Sequence, residues 1–460
     1  MLTIAYLANQ FPSPVEPYVI EEIEELRARG VHVISGSVRK VRRSEPASTV
    51  APGIVLQKMH FDVLLQALWL CVRRWQRISQ LIGRVIFRGR EGPLQRVKAL
   101  LHTLLGACYA VLLQENGVQH IHVHHGYFGS WIAMVAAHLL RVPFSITLHG
   151  SDLLLHGTYL DVKLANCAFC LTVSEYNRRY ILDHYTGVES RKIIVSRLGV
   201  ELNERADFRA DAPRRCEGVF SLLAVGRLHA VKDHAFLVRA CGRLCERGID
   251  FECSIAGDGP ERRNLESLIR KSGLEARVTL LGHLPRAQLD SLYDRADAVV
   301  LTSRSEGIPL VLMEAMARGK IVLAPDITGI PELVVAGQTG FLYQAGSLDD
   351  LVSRLIFIHT LLQATDHTDL HSHVLSATRQ MDWLRHAARV QVRHNFNRKK
   401  NLKSFGDLFL QRIAPHTSLP HENSVLQQVQ LPVQRHRDLP IRVDGIDAVA
   451  GSRGRAVFDG

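Results

Sequence analysis

Two glutamates eight residues apart are the most informative candidates for chemistry in the sequence. Glu306 and Glu314 lie in the segment LTSRSEGIPLVLMEAMARGK, where an apolar run gives way to a polar loop and a helix is predicted to begin near Pro309. Carboxylates accept hydrogen bonds from hydroxyl groups, and the free amides at a helix start bind phosphate. The segment therefore predicts a site for a phosphorylated polyol. A helix cap and a solvated glutamate are the alternative for an isolated pair.

Basic residues and a glycine turn at two other predicted strand ends favour the same kind of ligand. Arg227 and Lys232 follow the run FSLLAV, and a forked guanidinium beside an ammonium group suits a diphosphate. Gly257, in the turn AGDGP, allows the backbone to approach a ligand closely. Each feature also occurs as an ordinary surface pair or turn. Because parallel strands end at one edge of a sheet, we expect these residues to lie near Glu306.

His149 is the candidate catalytic residue of the first half of the chain. It ends a predicted strand in the segment ITLHGSD and is expected to face the cleft between the two halves. A single histidine at a strand end is also commonly structural, so its role depends on what lies opposite.

The sequence predicts no metal, redox or ATP-hydrolysing centre. Cys167 and Cys170 form a CxxC with no second pair, and the run HIHVHH at 120–125 is typical of satisfied strand or cleft histidines. Neither a P-loop nor the glycine fingerprint of dinucleotide-binding folds follows the first strand. We therefore expect no cofactor.

Short β-branched runs alternate with amphipathic stretches along most of the 460 residues, which predicts an α/β chain with two doubly wound parallel sheets. We predict one Rossmann-like domain within 1–205 and a second within 217–380, joined by a polar linker. A helical segment at 381–414 is expected to pack back on the first domain. The polar composition of 415–460 is typical of a disordered tail.

The net charge of +11 is concentrated between Arg39 and Lys98, where thirteen basic residues face three acidic ones. Within it, the helical insert at 61–98 mixes apolar residues with spaced arginines, so we hypothesise that it lies on an anionic membrane surface. A core-packed hairpin with a charged outer face is the alternative. No recognised nucleic-acid-binding motif accompanies the charge, and nucleic acid is not an expected partner. Scattered cysteines and the lack of a secretory leader indicate a cytoplasmic protein.

Taken together, these segments resemble the retaining glycosyltransferases of the GT4 family, which have the GT-B architecture of two facing Rossmann-like domains. The resemblance is carried by VGRLHAVKDH, SIAGDGPER, VTLLGHLP, EGIPLVLME and DITGIPELVVAGQTGFL across 220–361. It is looser in the first half, where NQFPSPVEPYVIEEIEEL is similar to exopolysaccharide and colanic-acid-type members and TLHGSDL resembles a cleft loop.

The resemblance assigns roles to individual residues. It implies catalytic roles for His149 and Glu306 at the transferred sugar. Arg227 and Lys232 would bind the diphosphate, and Glu314 the ribose. The amides at the helix start would surround the distal phosphate. The donor-binding residues are then Arg227, Lys232, Gly257, Gly307, Ile308, Leu310 and Glu314.

The implied function is hexosyl transfer from a nucleotide sugar to a saccharide or lipid-linked saccharide, with retention and without a metal, in exopolysaccharide or other cell-surface glycan synthesis. An epimerase of the same architecture would turn over the donor alone. A non-catalytic assembly partner would be favoured if the cationic and acidic site residues were missing. Pro12, Ser13 and Pro14 stand where many members have a glycine pair, which leaves the acceptor side open.

Overall fold

The computed structural model describes residues 1–13, 16–39, 53–58, 60–87, 91–155, 157–202, 219–366 and 372–414. The predicted tail at 415–460 lies outside the described residues, as do Pro14 and all but the first two residues of the predicted linker at 201–217.

The amino-terminal lobe is built on a sheet of seven parallel strands, in the order β3-β2-β1-β4-β5-β6-β7. The strands are β1 Thr3–Gln10, β2 His32–Arg39, β3 Ile54–Val55, β4 His120–His124, β5 Phe144–Leu148, β6 Phe169–Thr172 and β7 Ile193–Val195. Their direction of winding reverses between β1 and β4. Ligands of open α/β sheets bind beyond the strand ends at such a reversal.

Helices cover both faces of this sheet and include the predicted insert. They are α1 Pro17–Ala28, α2 Phe61–Arg73, α3 Trp75–Phe87, α4 Pro93–Leu113, α5 Phe128–Leu140, α6 Ser151–Leu154, α7 Leu160–Asn166 and α8 Glu175–His184. The sequence predicted an amphipathic helix or pair in the insert, and α2 and α3 form a pair. Helix α5 lies almost entirely in the core and packs along α4.

The second lobe has a sheet of six parallel strands in the order β10-β9-β8-β11-β12-β13. The strands are β8 Phe220–Val225, β9 Phe251–Ala256, β10 Val278–Gly282, β11 Ala298–Val300, β12 Ile321–Pro325 and β13 Phe341–Tyr343. Its helices are α9 His234–Glu246, α10 Arg262–Lys271, α11 Arg286–Arg295, α12 Leu310–Ala317, α13 Ile330–Leu333, α14 Leu348–Asp366 and α15 Ser372–Asn395. The helix α16 Arg398–Ile413 follows α15 in the chain. The predicted α/β class with two parallel sheets is confirmed.

The chain crosses between the lobes twice, and the two crossings pair with each other. The Val200 amide donates to the Phe396 carbonyl at 2.9 Å, and the Arg398 amide donates to the Val200 carbonyl at 3.1 Å. Helix α15 packs on α12 and α14, whereas α16 packs on α1 of the first lobe. Arg398 also donates to Glu21 of α1 at 2.9 Å, and Phe409 is buried in the amino-terminal core. The last helix therefore belongs to the first lobe.

Candidate functional site

Lys232 and Glu306 meet at the carboxyl edge of the second sheet. Strands β8 and β11 are neighbours there, and the winding direction reverses between them. Lys232 Nζ donates to Glu306 Oε1 at 2.5 Å. Thr302 Oγ1 donates to the carbonyls of Lys232 and Asp233, at 3.1 and 3.0 Å, which fixes the two loops together. A cation and a carboxylate that neutralise each other thus occupy the predicted phosphate side of the site.

The loop that carries Glu306 leads directly into the first turn of α12. The helix begins at Leu310, with Pro309 before it and no side chain capping its amides. Ile308 is buried beneath the loop, and Thr328 Oγ1 donates to the Glu306 carbonyl at 2.7 Å. The amides of the first turn, with the positive end of the helix dipole, can receive phosphate oxygens.

Glu314, in the second turn of α12, is held by two donors from α11. The Arg286 guanidinium donates to Oε1, and the Tyr293 hydroxyl donates to Oε2 at 3.0 Å. Burial and the charge of Glu314 raise the pKa of Tyr293 well above its ordinary value, so the hydroxyl stays a donor. The Glu314 carboxylate is therefore fixed in position by α11.

The turn after β9 is pressed against the segment after β8. Gly257 has φ of +143°, and a Cβ there would lie 1.9 Å from the Gly226 carbonyl oxygen, so no other residue fits. The Gly257 amide donates to the Gly282 carbonyl at 2.8 Å. This packing positions the backbone on both sides of Arg227. The Arg227 charge also acts on Tyr127 of the first lobe, where it opposes the rise in pKa that burial causes.

The two lobes touch where the backbone of His149 and Gly150 meets the backbone of Glu306 and Gly307. A Cβ on Gly307 would lie 2.4 Å from the His149 carbonyl oxygen, and a Cβ on Gly150 would lie 2.7 Å from the Gly307 nitrogen. The absence of side chains at these two glycines lets the backbones meet. Residues from separate sheets thereby come together around one position in the cleft.

His149 is the outer member of a hydrogen-bonded series that runs into the first lobe. Its Nε2 lies 3.0 Å from His124 Nδ1, and His124 Nε2 lies 3.0 Å from Glu22 Oε2. The Tyr6 hydroxyl also donates to Glu22 Oε2. Burial, together with the charge of His125, lowers the pKa of His149 well below its ordinary value, so the ring is neutral at neutral pH.

Asp152 holds the loops that carry the histidines. Its carboxylate accepts from the amides of Gly126 at 2.9 Å, His149 at 3.1 Å and Gly150 at 2.9 Å. His125 lies between this carboxylate and Glu16, with its Nε2 2.9 Å from Glu16 Oε1. Burial lowers the pKa of His125, but the neighbouring carboxylates of Asp152 and Glu16 outweigh burial and raise the pKa to about 10. This histidine is therefore a fixed cation in the first lobe.

Glu22, His122 and His124 offer ligand atoms within 4.8 Å of one another, a separation that a metal ion could span. Both ring nitrogens of His122 have hydroxyl partners, Ser145 Oγ at 2.7 Å and Thr147 Oγ1 at 3.0 Å. The group is thus already joined by hydrogen bonds within the protein, which is typical of a structural network.

A cavity of about 300 Å³ opens between the lobes beside Glu314. The first lobe lines it with residues that include Tyr18, Glu21 and Glu22, and the second lobe with Arg286, Leu310 and Glu314. The cavity is therefore a crevice shared by both lobes, with Glu314 in its wall.

Family models match both lobes of the chain. Residues 15–204 match the model described as Glycosyltransferase Family 4, and residues 210–361 match the model described as Glycosyl transferases group 1. The chain belongs to glycosyltransferase family 4. The resemblance to the GT4 family that was inferred from the sequence motifs is confirmed.

Known relatives and solved structures place this GT4 chain among glycosyltransferases. It is 34% identical over 197 residues to the putative colanic acid biosynthesis glycosyltransferase WcaL of Salmonella typhimurium, an alignment that covers 42% of this chain and 47% of that relative. The match thus spans less than half of the relative's length.

The fold is shared with solved GT-B structures. Sucrose-phosphate synthase from Thermosynechococcus elongatus superposes with a TM-score of 0.64 at 18% identity, covering 89% of this chain and 99% of that one. HepE of Anabaena, solved with UDP and glucose, gives a TM-score of 0.61 at 18% identity, covering 89% and 100%. The predicted GT-B fold is confirmed.

The structure gathers the site residues predicted for the GT4 chain along the facing edges of the two sheets. It joins Lys232 to Glu306, packs the backbone of Gly307 against the His149 carbonyl, and places Glu314 in a cavity between the lobes. Their roles stay predictions.

The sequence reasoning missed the residues that hold the site in place. These are Glu16, Glu22, His124, Asp152 and Arg286. Asp152 had a local signal, because a carboxylate three residues after a strand-end residue commonly accepts backbone amides.

Proposed function

We propose that the chain is an enzyme that transfers a hexosyl group from a nucleotide sugar to a saccharide or lipid-linked saccharide, in exopolysaccharide or other cell-surface glycan synthesis. The observation that carries this proposal is the meeting of Lys232 and Glu306 at the switch point of the second sheet, opposite His149 of the first. The family match and the name of the WcaL relative support transfer over the epimerase and the assembly partner.

Donor binding follows from the charges around the cleft. The diphosphate would lie against Arg227, Lys232 and the first-turn amides of α12, including those of Ile308 and Leu310. Lys232 would exchange Glu306 for a phosphate oxygen, so the released Glu306 carboxylate could accept from the sugar hydroxyls. Glu314 would accept from the ribose hydroxyls in the same way.

Bond cleavage requires stabilisation of the leaving group. As the bond from the anomeric carbon to phosphate oxygen lengthens, negative charge grows on the diphosphate, and fixed cations and amides aimed at that charge lower the barrier by several kcal/mol. Because Lys232, Arg227 and the start of α12 supply this positive charge, we propose a reaction independent of metal ions. Activity that persists in EDTA is the expected result.

Retention is part of the proposal. The acceptor oxygen would bond to the anomeric carbon on the face that the leaving group departs from, and the acceptor proton would pass to a phosphate oxygen. Glu306 would then position the sugar rather than attack it, which agrees with its bond to Lys232. NMR of the anomeric proton in the first product would establish the stereochemistry.

His149 would contact the transferred sugar through its Nδ1. In the neutral tautomer of His124 whose Nε2–H donates a hydrogen bond to the Glu22 carboxylate, Nδ1 is the acceptor for His149 Nε2–H. The remaining nitrogen of the neutral His149 ring is then an acceptor for a sugar hydroxyl. Glu22 and His124 are positioning residues in this arrangement.

The proposed location is the cytoplasm, at the membrane face where a lipid-linked acceptor would be elongated. The location follows from the substrate class, because nucleotide sugars are cytoplasmic compounds.

A panel of UDP-, GDP- and ADP-sugars tests the proposal. Thermal shift should identify one base, since a ligand at 100 times its dissociation constant stabilises the fold by about 2.7 kcal/mol. With that donor, release of nucleoside diphosphate should require a saccharide acceptor. Turnover of the donor without any acceptor would indicate an epimerase, and no stabilisation by any nucleotide sugar would contradict donor binding.

A further inference from the structure

Helix α2 presents an apolar stripe to solvent. Five residues that share one helical face are between 47% and 76% exposed: Phe61, Leu65, Leu68, Trp69 and Val72. The opposite face of the helix is buried through Ala67 and Leu70, so the helix is fixed on the lobe and its outer stripe is left uncovered.

Helix α4 continues the exposed apolar surface. It packs beside α2 and exposes Leu94, Val97, Leu100 and Leu101, while the helical pair contributes Trp75, Ile86 and Phe87. Elsewhere in the described chain, the exposed large apolar side chains are Met1, Leu155, Val335, Trp383 and Val390. A concentration of this kind marks an interaction surface.

The charges around this surface are nearly all positive. Arg73 lies over the Trp69 ring at 4.9 Å, and Lys98 is exposed on α4 between apolar residues. The only acidic residues of the sequence from 60 to 113 are Asp62 and Glu91. Cations beside exposed aromatic and aliphatic side chains complement an anionic lipid surface.

Two of the arginines that the sequence suggested for lipid binding have a different role. Arg74 and Arg77 both donate to the Leu139 carbonyl, the latter at 2.8 Å, and so fix α2 and α3 to the end of α5. The apolar stripe, rather than the full set of arginines, is the feature free to meet a membrane.

Contact of this apolar face with a membrane surface does not require helix α4 to span the bilayer. It lies within 93–116, the one described helix long and apolar enough to cross a membrane by length and composition. However, 44% of its apolar window is buried inside the protein, where it packs on α5. Its buried face belongs to the core of the first lobe.

We propose that the exposed face of α2 and α4 docks on an anionic lipid bilayer, with its apolar side chains inserted and Arg73 and Lys98 at the headgroups. This inference deepens the proposed function, since docking would present a lipid-linked acceptor to the cleft. Insertion predicts binding that salt weakens but does not abolish, whereas a purely electrostatic contact would be lost at high salt.

Flotation of the full chain with vesicles tests the proposal. The vesicles are phosphatidylcholine alone or phosphatidylcholine with phosphatidylglycerol. The double variant Trp69→Ser/Val72→Ser should bind the mixed vesicles at least about tenfold more weakly, because each buried apolar side chain contributes on the order of a tenfold factor. The matched control Trp383→Ser/Val390→Ser removes the same residue types from α15 and should bind like the parent.

Three results would overturn the proposal: parent binding that high salt removes completely, equal binding by parent and α2 variant, or equal loss in both double variants. If the parent instead forms dimers without lipid and the α2 variant does not, the face would be assigned to a second copy of the chain. Transfer to a soluble saccharide acceptor, measured on the same preparations, should be unchanged in the α2 variant. That assay separates failure of docking from failure of the proposed transferase activity.

Discussion

Lys232 Nζ and Glu306 Oε1 lie 2.5 Å apart, which joins the loops after two adjacent strands of the second sheet. In this arrangement the cation proposed for the diphosphate and the carboxylate proposed for the sugar neutralise each other. A nucleotide sugar carries both a diphosphate and a sugar. When it binds, the diphosphate can pair with Lys232 and the sugar hydroxyls can donate to Glu306, so breaking the ion pair need not leave an unpaired buried charge.

Glu314 should determine whether ribose hydroxyls contribute to nucleotide binding. Glu314→Ala is expected to weaken binding of the preferred nucleoside diphosphate by about ten- to a hundredfold, as a hydrogen bond to a charged group contributes about 1.5–3 kcal/mol. The 2′,3′-dideoxy analogue lacks the partner hydroxyls and should bind parent and variant alike. Calorimetry measures both ligands. If Glu314→Ala loses equal affinity for the nucleoside diphosphate and for its dideoxy analogue, Glu314 lies away from the ribose.

Glu22 should act through His124 on turnover without affecting donor affinity. Glu22→Gln replaces the carboxylate that orients His124, and so should lower kcat by at least about tenfold with little change in donor KM. The control Glu24→Gln makes the same change of charge at an exposed position of α1. Steady-state kinetics of the two variants tests the positioning role of Glu22. Equal kcat values for Glu22→Gln and Glu24→Gln would exclude it.

The contact between Gly307 and His149 should be needed for activity. A Cβ in Gly307→Ala would lie 2.4 Å from the His149 carbonyl oxygen and must push the two loops apart. We expect kcat to fall by at least about tenfold, because small misplacements in an active site are costly. Gly242→Ala, in helix α9 with open space around it, is the control and should be fully active with slightly higher thermal stability. Full activity of Gly307→Ala would mean that the loops need not touch.

Buried histidines should make the fold sensitive to acid. Burial lowers the pKa of His120 to about 3, so between about pH 6.5 and 3 the unfolded chain takes up a proton that the folded chain does not. Its contribution to the free energy of unfolding is therefore present above pH 6.5 and falls by about 1.4 kcal/mol per pH unit below it. His120→Asn removes this proton uptake. In denaturant unfolding between pH 6.5 and 3, the free energy of unfolding of the variant should therefore fall less steeply than that of the parent, by about 1.4 kcal/mol per pH unit. An unchanged slope would contradict the neutral buried histidine.

The sequence predicted the two parallel sheets because short β-branched runs alternate with amphipathic stretches along the chain. The short runs at 119–124, 143–148 and 251–256 coincide with β4, β5 and β9 to within one residue. The edge strands β3 Ile54–Val55 and β13 Phe341–Tyr343 are short and are defined by their pairing with β2 and β12 rather than by a local pattern.

The site was predictable only in part, for a physical reason. Residues at the ends of neighbouring parallel strands must converge, which is why Lys232 and Glu306 could be assigned to one ligand. The meeting of His149 with Gly307 depends on how two separate lobes approach, and no local pattern encodes that. Glu22 carried a signal that went unused, because it is a charged residue on the buried face of α1.

Calorimetric titration of the preferred nucleoside diphosphate into the parent, Lys232→Ala and Glu306→Gln tests the central claim most directly. The account predicts at least about tenfold weaker binding for Lys232→Ala, which loses a phosphate contact. It predicts binding at least as tight as the parent for Glu306→Gln, which frees Lys232 but should have little turnover. Equal affinity for the parent and Lys232→Ala, or full turnover by Glu306→Gln, would contradict it.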